Sequence, residues 1–326
     1  METHRYDDFD AFVDGIRHAN VRCLLISMQR RQWWISHGDF GLLQLQIGHD
    51  AAGIICEGEA RPDGVVIYFP LTNHAAHHAN GVQLDAQSVA LFGPRGEFCL
   101  GIRRPHDWCS LFIPSMAIKE IVGEEESVTL LQSTCRAVRI DPLVHRRFRS
   151  LVTSIAEANF HLAGREWTPK MKAAAERDLM ATATRMPGGA EKPTRHNSGR
   201  PRRSRQEIVR AAHDYLDNRD EPQVSVSDLA IACGVSERTL RTAFREYFGI
   251  GPKAYRNLRV LHLVRRELIK ATAVCSTVSD ILTQYGVWEH GRFAQSYQKQ
   301  FGELPSQTLR KGRIAKDTTP ALACEE

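Results

Sequence analysis

Between Val224 and Arg310 one pattern of residues occurs twice. It reads first as Ser227-Asp228-Leu229, Gly234-Val235, Leu240, Phe244, Phe248-Gly249, Pro252. It returns as Ser279-Asp280-Ile281, Gly286-Val287, Phe293, Tyr297, Phe301-Gly302, Pro305. The copies are 52 residues apart up to the Gly-Val pair and 53 apart after it, so a single residue inserted in the turn reconciles them.

Each copy reads as a short helix, a glycine turn and a longer helix with apolar residues every third or fourth position. That is the layout of a helix-turn-helix. Nucleic-acid binding is therefore the first functional expectation, and charge agrees with it. Residues 200 to 316 carry 21 Lys/Arg against 12 Asp/Glu, a balance of +9, whereas residues 1 to 199 hold 22 against 23. A basic excess confined to the repeated region suits a polyanion, although the same excess also serves a solvated face.

The 326 residues suffice for about two domains. With 42% hydrophobic and 25% charged residues, no apolar run of bilayer length and no apolar leader at the start, the chain reads as globular and cytoplasmic. Eight cysteines, at 23, 56, 99, 109, 135, 233, 275 and 324, contain no Cys-x-x-Cys pair. Neither a zinc module nor a disulfide framework is indicated, and reduced thiols are expected.

After a polar start, expected to be mobile, residues 41 to 113 alternate short apolar runs with turn signals at roughly ten-residue spacing. The runs are Leu42 to Ile47, Ile54 to Cys56, Val65 to Phe69, Val82 to Leu84, Val89 to Phe92, Phe98 to Ile102 and Trp108 to Ile113. Such spacing predicts a small antiparallel barrel or sandwich. From Pro114 the period becomes helical. Asp141-Pro142 offers an N-cap and a first-turn proline ahead of Val144, Phe148, Leu151, Val152 and Ile155, and Thr168-Pro169 opens a second helix to about Thr184. These two helices either dock on the barrel or pair with a second chain. Residues 186 to 204 (MPGGAEKPTRHNSGRPRRS) lack apolar periodicity and read as a linker. The expected organisation is α+β: a small antiparallel barrel or sandwich with a helical pair at 1 to 185, that linker, an all-α double helix-turn-helix at 205 to 316, and a tail at 317 to 326.

In the first copy, Gly234 suits the tight turn and Ser236 suits the following N-cap. The longer helix then divides. Leu240, Ala243, Phe244, Tyr247 and Phe248 form a core stripe, while Arg238, Arg241, Thr242 and Arg245 share the opposite face. Arginines on the second helix of such a unit enter the major groove and bond guanine O6 and N7. Pro252 to Ile269 is expected as one continuous helix joining the copies. The second copy buries Phe293, Tyr297 and Phe301 and turns Gly291, Arg292, Gln295, Gln298 and Lys299 outward. With Gly291 and Ala294 offering little to a base edge, phosphate contact and shape readout are expected there, with Gln295 and Arg292 the best candidates for specificity.

The run SDLAIACGVSERTLRTAFREYFGIGPKAYRNLRVLHLVRREL, with the degenerate copy ending YGVWEHGRFAQSYQKQFGELPSQTLR, resembles the paired helix-turn-helix domain of the AraC/XylS transcription regulators over residues 205 to 312. The resemblance implies a seven-helix domain whose third and sixth helices enter adjacent major-groove segments, and, for residues 1 to 185, an effector-binding or dimerisation domain built as a cupin-like antiparallel β-barrel followed by a helical pair. Carried over to matching positions, it gives Arg238, Arg241 and Thr242 in the first copy and Gly291, Ala294 and Gln295 in the second as base-contacting residues. It implies promoter DNA and RNA polymerase as partners, with a homodimer and a small-molecule effector as further possibilities, and activation as the expected sign. Val287-Trp288, Tyr297-Gln298 and Gln307 to Leu309 depart from the family pattern.

Other chemistries are weaker. His74, His77 and His78, with His106 further on, have no acidic partner in the arrangement a metal-binding cupin uses, and Asn73 to Gly81 reads as a loop, so no metal or other cofactor is expected. No Gly-x-Ser-x-Gly elbow occurs, and the chain is not expected to be an enzyme. Trp33, Trp34, Tyr68, Phe69, Phe92, Trp108 and Phe112 are candidates to line an effector pocket, and Arg103, Arg104 and His106 to bind an acidic group. Two alternatives stand beside the regulator: a cupin-like enzyme with an accessory DNA-binding domain, and a constitutive DNA-binding dimer without effector.

Overall fold

The computed structural model describes residues 1–27, 32–72, 77–85, 87–123, 127–128, 130–132, 134–162, 166–186, 204–217, 224–271 and 277–317. Two compact units emerge, one built from most of residues 1–203 and the other from most of residues 204–326.

The first unit is an antiparallel double sheet carrying two helices. A seven-stranded sheet has the order β1 (Glu2–Tyr6), β3 (Trp33–Phe40), β4 (Leu43–Asp50), β11 (His106–Pro114), β6 (Gly64–Pro70), β9 (Ser88–Phe92) and β12 (Cys135–Arg139). A five-stranded sheet has the order β2 (Ala19–Ser27), β5 (Gly53–Ala60), β10 (Glu97–Ile102), β7 (His77–Ala79) and β8 (Val82–Leu84). All seven apolar runs read from the sequence fall on strands, except that Leu42 lies in the turn before β4. The polar start is ordered where it was expected to be mobile: it forms β1, a capped helix α1 (Phe9–Asp14), β2 and β3. The expected loop at 73 to 81 contains β7.

Register explains why the central strands read as continuous apolar runs. In β11, Cys109, Leu111 and Ile113 pair with Phe69, Ile67 and Val65 of β6, and these six side chains join one core cluster. That cluster also holds Phe148, Val152 and Ile155 of α3 (Pro142–Leu162) and Ala175 and Leu179 of α4 (Pro169–Ala183). The helical pair is thus packed on the outer face of the larger sheet. The alternate residues of β11, namely His106, Trp108, Ser110 and Phe112, are buried too and face the smaller sheet. Contacts across the two layers include Phe92 stacked on Phe98 at 4.4 Å and Tyr68 bonded to His77 at 2.9 Å. A strand buried on both faces needs apolar residues at successive positions rather than alternate ones.

Both helices of the pair start as their sequences dictate. Asp141 accepts from the amides of Leu143 and Val144 at 2.7 and 3.2 Å, and Thr168 accepts from Met171 at 3.3 Å. A short helix, α2 (Ser115–Val122), and β12 precede them in the stretch read as helical. Met186, read as the first linker residue, is buried in the unit's core. Residues 187–203 lie outside the described residues.

The second unit is all helical: α5 (Arg205–Asp217), α6 (Val226–Ala232), α7 (Glu237–Phe248), α8 (Pro252–Lys270), α9 (Val278–Gln284), α10 (His290–Phe301) and α11 (Pro305–Asp317). At 19 residues, α8 spans about 28 Å and joins the two copies of the repeat. It contributes Tyr255 to the first copy, edge-to-face on Phe244 at 5.4 Å, and Leu261, Val264 and Leu268 to the second, where they meet Ile281, Leu282, Tyr297, Phe301 and Leu309.

Candidate nucleic-acid interface

The two copies are built by the same local chemistry. Ser225 caps α6 by accepting from the Asp228 amide at 3.1 Å while Asp228 returns a bond to the Ser225 amide at 2.9 Å. Thr277 and Asp280 repeat this reciprocal box on α9, at 3.2 and 2.8 Å. Gly234 and Gly286 then take the left-handed conformation at φ of +61° and +63°, which a Cβ disfavours. Behind each glycine the chain closes identically: Val235 donates to the Ala230 carbonyl at 3.0 Å, and Val287 donates to the Leu282 carbonyl at 2.9 Å. These bonds fix the direction in which α7 and α10 leave their turns.

Around α7 the faces separate as expected. Leu240, Ala243 and Phe244 are fully buried, while Arg238, Arg241 and Arg245 are exposed. Thr242 is half-buried, and its hydroxyl donates to the Arg238 carbonyl at 2.9 Å. Arg241 reaches back to Glu237 at 2.7 Å, an exposed pair one turn apart. Such a pair holds the guanidinium above the helix surface at little energetic cost, since exposed i,i+4 pairs contribute only about 0.3 to 0.5 kcal/mol. Ser236 accepts from the Thr239 amide at 3.2 Å, capping α7 as its position suggests.

α10 differs. Tyr297 and Phe301 are buried, Phe293 is half-buried, and Gly291, Arg292, Gln295 and Gln298 are exposed; Ala294 is half-buried. Apart from its chain neighbours and the helix's own backbone, nothing lies within 4 Å of where a Cβ on Gly291 would stand, so the helix backbone is open at that position. Its N-cap, Glu289, makes no side-chain cap bond and pairs with Arg292 at 3.2 Å.

Several basic residues that look available in the sequence are structural. Arg259 is buried and paired with Asp217. Arg265 is buried against Glu303 at 2.8 Å, and Lys311 meets the other oxygen of that carboxylate at 2.5 Å. Thr308 also donates to Glu303, at 2.8 Å. Burial opposes ionisation of Glu303, but the bonds from Lys311, Arg265 and Thr308 outweigh it and hold its pKa at about 2.

The candidate effector residues are divided by the first unit. His106 and Trp108 come together inside the double sheet with Asp50, which β4 places directly across from His106. Trp108 Nε1 donates to Asp50 at 2.7 Å. His106 Nε2 lies 3.1 Å from the same carboxylate without hydrogen-bond alignment, and its ring meets His77 edge-on at 4.8 Å. Burial, with the neighbouring His106 and His78, pushes His77 down to about 2, and burial raises the Tyr68 hydroxyl well above its ordinary range. Among the described residues, Asp50 Oδ1, His77 Nε2 and His106 Nε2 are buried polar atoms with no hydrogen-bond partner. Trp33 instead packs on Phe9 and Phe12, at 5.9 and 6.4 Å, and Arg103 and Arg104 are exposed between β10 and β11. Asp50 was not legible as a site residue, because only the register of β4 against β11 pairs it with His106. His74 lies outside the described residues. No group of three metal-ligating side chains occurs among the described residues.

Comparison with known proteins is concentrated on the repeat. Residues 229–311 match a family described as a helix-turn-helix domain. The XylDLEGF operon transcriptional activator 3 of Pseudomonas putida is 34% identical over 100 residues, covering 31% of this chain and 30% of that protein. The probable thc operon regulatory protein of Rhodococcus erythropolis is 34% identical over 105 residues, covering 32% and 31%. The chain thus spans about three tenths of the length of these relatives. The regulator GbdR of Pseudomonas aeruginosa is 27% identical along 92% of this chain and 80% of its own length. Among solved structures, the AraC-like transcriptional activator CuxR aligns over 82% of this chain and 95% of its own with 13% identity and a TM-score of 0.42.

Proposed function

We propose that this chain is a regulator of the AraC/XylS helix-turn-helix type: a sequence-specific DNA-binding regulator of transcription, acting as an activator under the control of a small molecule. One observation carries this reading: two helix-turn-helix units with the same cap, the same left-handed glycine and the same turn-closing bond lie in one basic helical domain. In this reading α7 reads bases through Arg238, Arg241, Thr242 and Arg245. α10 lies in the next major-groove segment, with Gly291, Arg292, Ala294, Gln295 and Gln298 along the duplex. The sign is inferred from the relatives named as activators, and contact with RNA polymerase and homodimerisation follow from family resemblance alone. A cytoplasmic location suits a regulator of promoters; no helix among the described residues is long and apolar enough to cross a membrane.

The effector is assigned to the polar interior of the double sheet, beside Trp108, because Asp50 Oδ1, His77 Nε2 and His106 Nε2 are buried there without a hydrogen-bond partner among the described residues. Trp33, Arg103 and Arg104 are left out of that site. The decisive experiment is selection of duplexes from a random-sequence library with the full chain, followed by footprinting. Two protected major-groove segments about one helical turn apart on one face of the duplex are expected. Recovery of no enriched sequence, or of a single protected segment, contradicts the paired-reading proposal.

A further inference from the structure

We infer that Trp288 is a specificity-determining residue of the second helix-turn-helix, and that its indole packs on the C5-methyl group of thymine in the major groove. The inference rests on the DNA-binding reading given above. Trp288 stands where the offset between the copies grows from 52 to 53, so it occupies the place of the one residue that the second turn has and the first lacks. It is 69% exposed, an unusual state for the largest apolar side chain in a packed helical domain.

Its setting points to the nucleic acid. The preceding backbone is fixed by the left-handed Gly286 and by the Val287 bond to Leu282, so the indole is carried on a rigid turn. It immediately precedes α10, and the N-terminal end of the second helix of such a unit is the part that meets base edges. In the first copy that region offers Arg238 and Arg241. In the second, the matching positions are Gly291, which is open to solvent, and half-buried Ala294, with exposed Arg292 between them paired to Glu289. With glycine where the first copy has Arg238, the helix start is narrow at that position, and the exposed apolar bulk beside it is Trp288. The groove chemistry that matches an uncharged aromatic plane is the thymine methyl, the apolar feature of the major-groove code. The second copy therefore reads by apolar contact where the first reads by arginine.

The test uses the full chain and duplexes it selects from a random library. Affinities are measured for the wild-type chain, Trp288→Ala and Trp288→Phe, each on the selected duplex and on the same duplex with deoxyuridine replacing thymine in the segment protected by the second copy. Trp288→Ala is expected to bind roughly ten- to a hundredfold more weakly, and Trp288→Phe to keep most of the affinity. Deoxyuridine is expected to weaken the wild-type chain but to cost Trp288→Ala little more, as two changes to one contact do. The salt dependence of binding is expected to stay unchanged, because no phosphate contact is lost. Unchanged affinity of Trp288→Ala overturns the inference, as do independent losses from the variant and from deoxyuridine, which place the indole on sugar, phosphate or protein. Failure of the wild-type chain to select any duplex overturns the DNA-binding reading and this inference together. Because the side chain is exposed, Trp288→Ala should melt at the wild-type temperature; if it does not, Trp288→Phe on the two duplexes decides the matter.

Discussion

At the residue scale, the division between arginines exposed on α7 and arginines buried in the helical unit decides what each substitution is expected to do. Arg241 is exposed and paired with Glu237, so its replacement by alanine is expected to leave the fold intact. Arg241→Ala is expected to weaken binding to a selected duplex by roughly 1 to 3 kcal/mol and to relax the preference at one base pair; titration against single-base variants of the duplex measures both. Arg265 presents the opposite case, since it is buried against Glu303. Glu303 has a folded-state pKa of about 2 against an ordinary 4.5, so its contribution to stability is present above about pH 4.5 and is lost as pH falls towards 2. Glu303→Gln should therefore lower the melting temperature of the helical unit at neutral pH and flatten its acid dependence. A variant that melts like the wild type at pH 7, with the same acid midpoint, contradicts the role given to this carboxylate.

At the scale of elements, the helix-turn-helix units were legible because each depends on a few local residues. Ser225 with Asp228, Thr277 with Asp280, and the two glycines announce cap and turn without help from distant parts of the chain. The barrel was legible where its strands are buried on both faces, as in β4, β6 and β11, since continuous apolar runs result. It was obscured where polar residues take buried positions. β3 buries Ser36 and His37, β7 buries His77, and an alternation read from apolar residues passes over both strands. The interior cluster was half legible for the same reason: His106 and Trp108 are conspicuous in sequence, whereas Asp50 belongs with them only through strand register. The repeat makes its own prediction. Gly234→Ala and Gly286→Ala each place a Cβ in the left-handed region, at a cost of about 1 to 2 kcal/mol. Equal losses in thermal stability are expected from the two variants. A neutral effect at either position contradicts the turn geometry assigned to that copy.

At the scale of the whole molecule, the proposed control requires that the effector site and the DNA-binding pair influence each other's affinity. Thermodynamic linkage makes that influence reciprocal: a small molecule that tightens DNA binding tenfold must itself bind tenfold more tightly to the DNA complex. Once a metabolite screen yields a ligand, two titrations test this, one of DNA at saturating ligand and one of ligand at saturating duplex. Equal coupling factors are expected. The interior cluster is the proposed origin of the effect; there Asp50 keeps one oxygen unpartnered while the other accepts from Trp108. Asp50→Asn preserves the shape and puts an amide in place of the carboxyl group, so it is expected to weaken the ligand and leave the ligand-free affinity for DNA unchanged. If Asp50→Asn leaves ligand affinity and coupling intact, the effector binds elsewhere. If the wild-type chain shows no ligand-induced rise in melting temperature with any metabolite, yet binds its selected duplex fully, the first unit serves a constitutive regulator, and the orphaned polar atoms of Asp50, His77 and His106 have a purely structural origin.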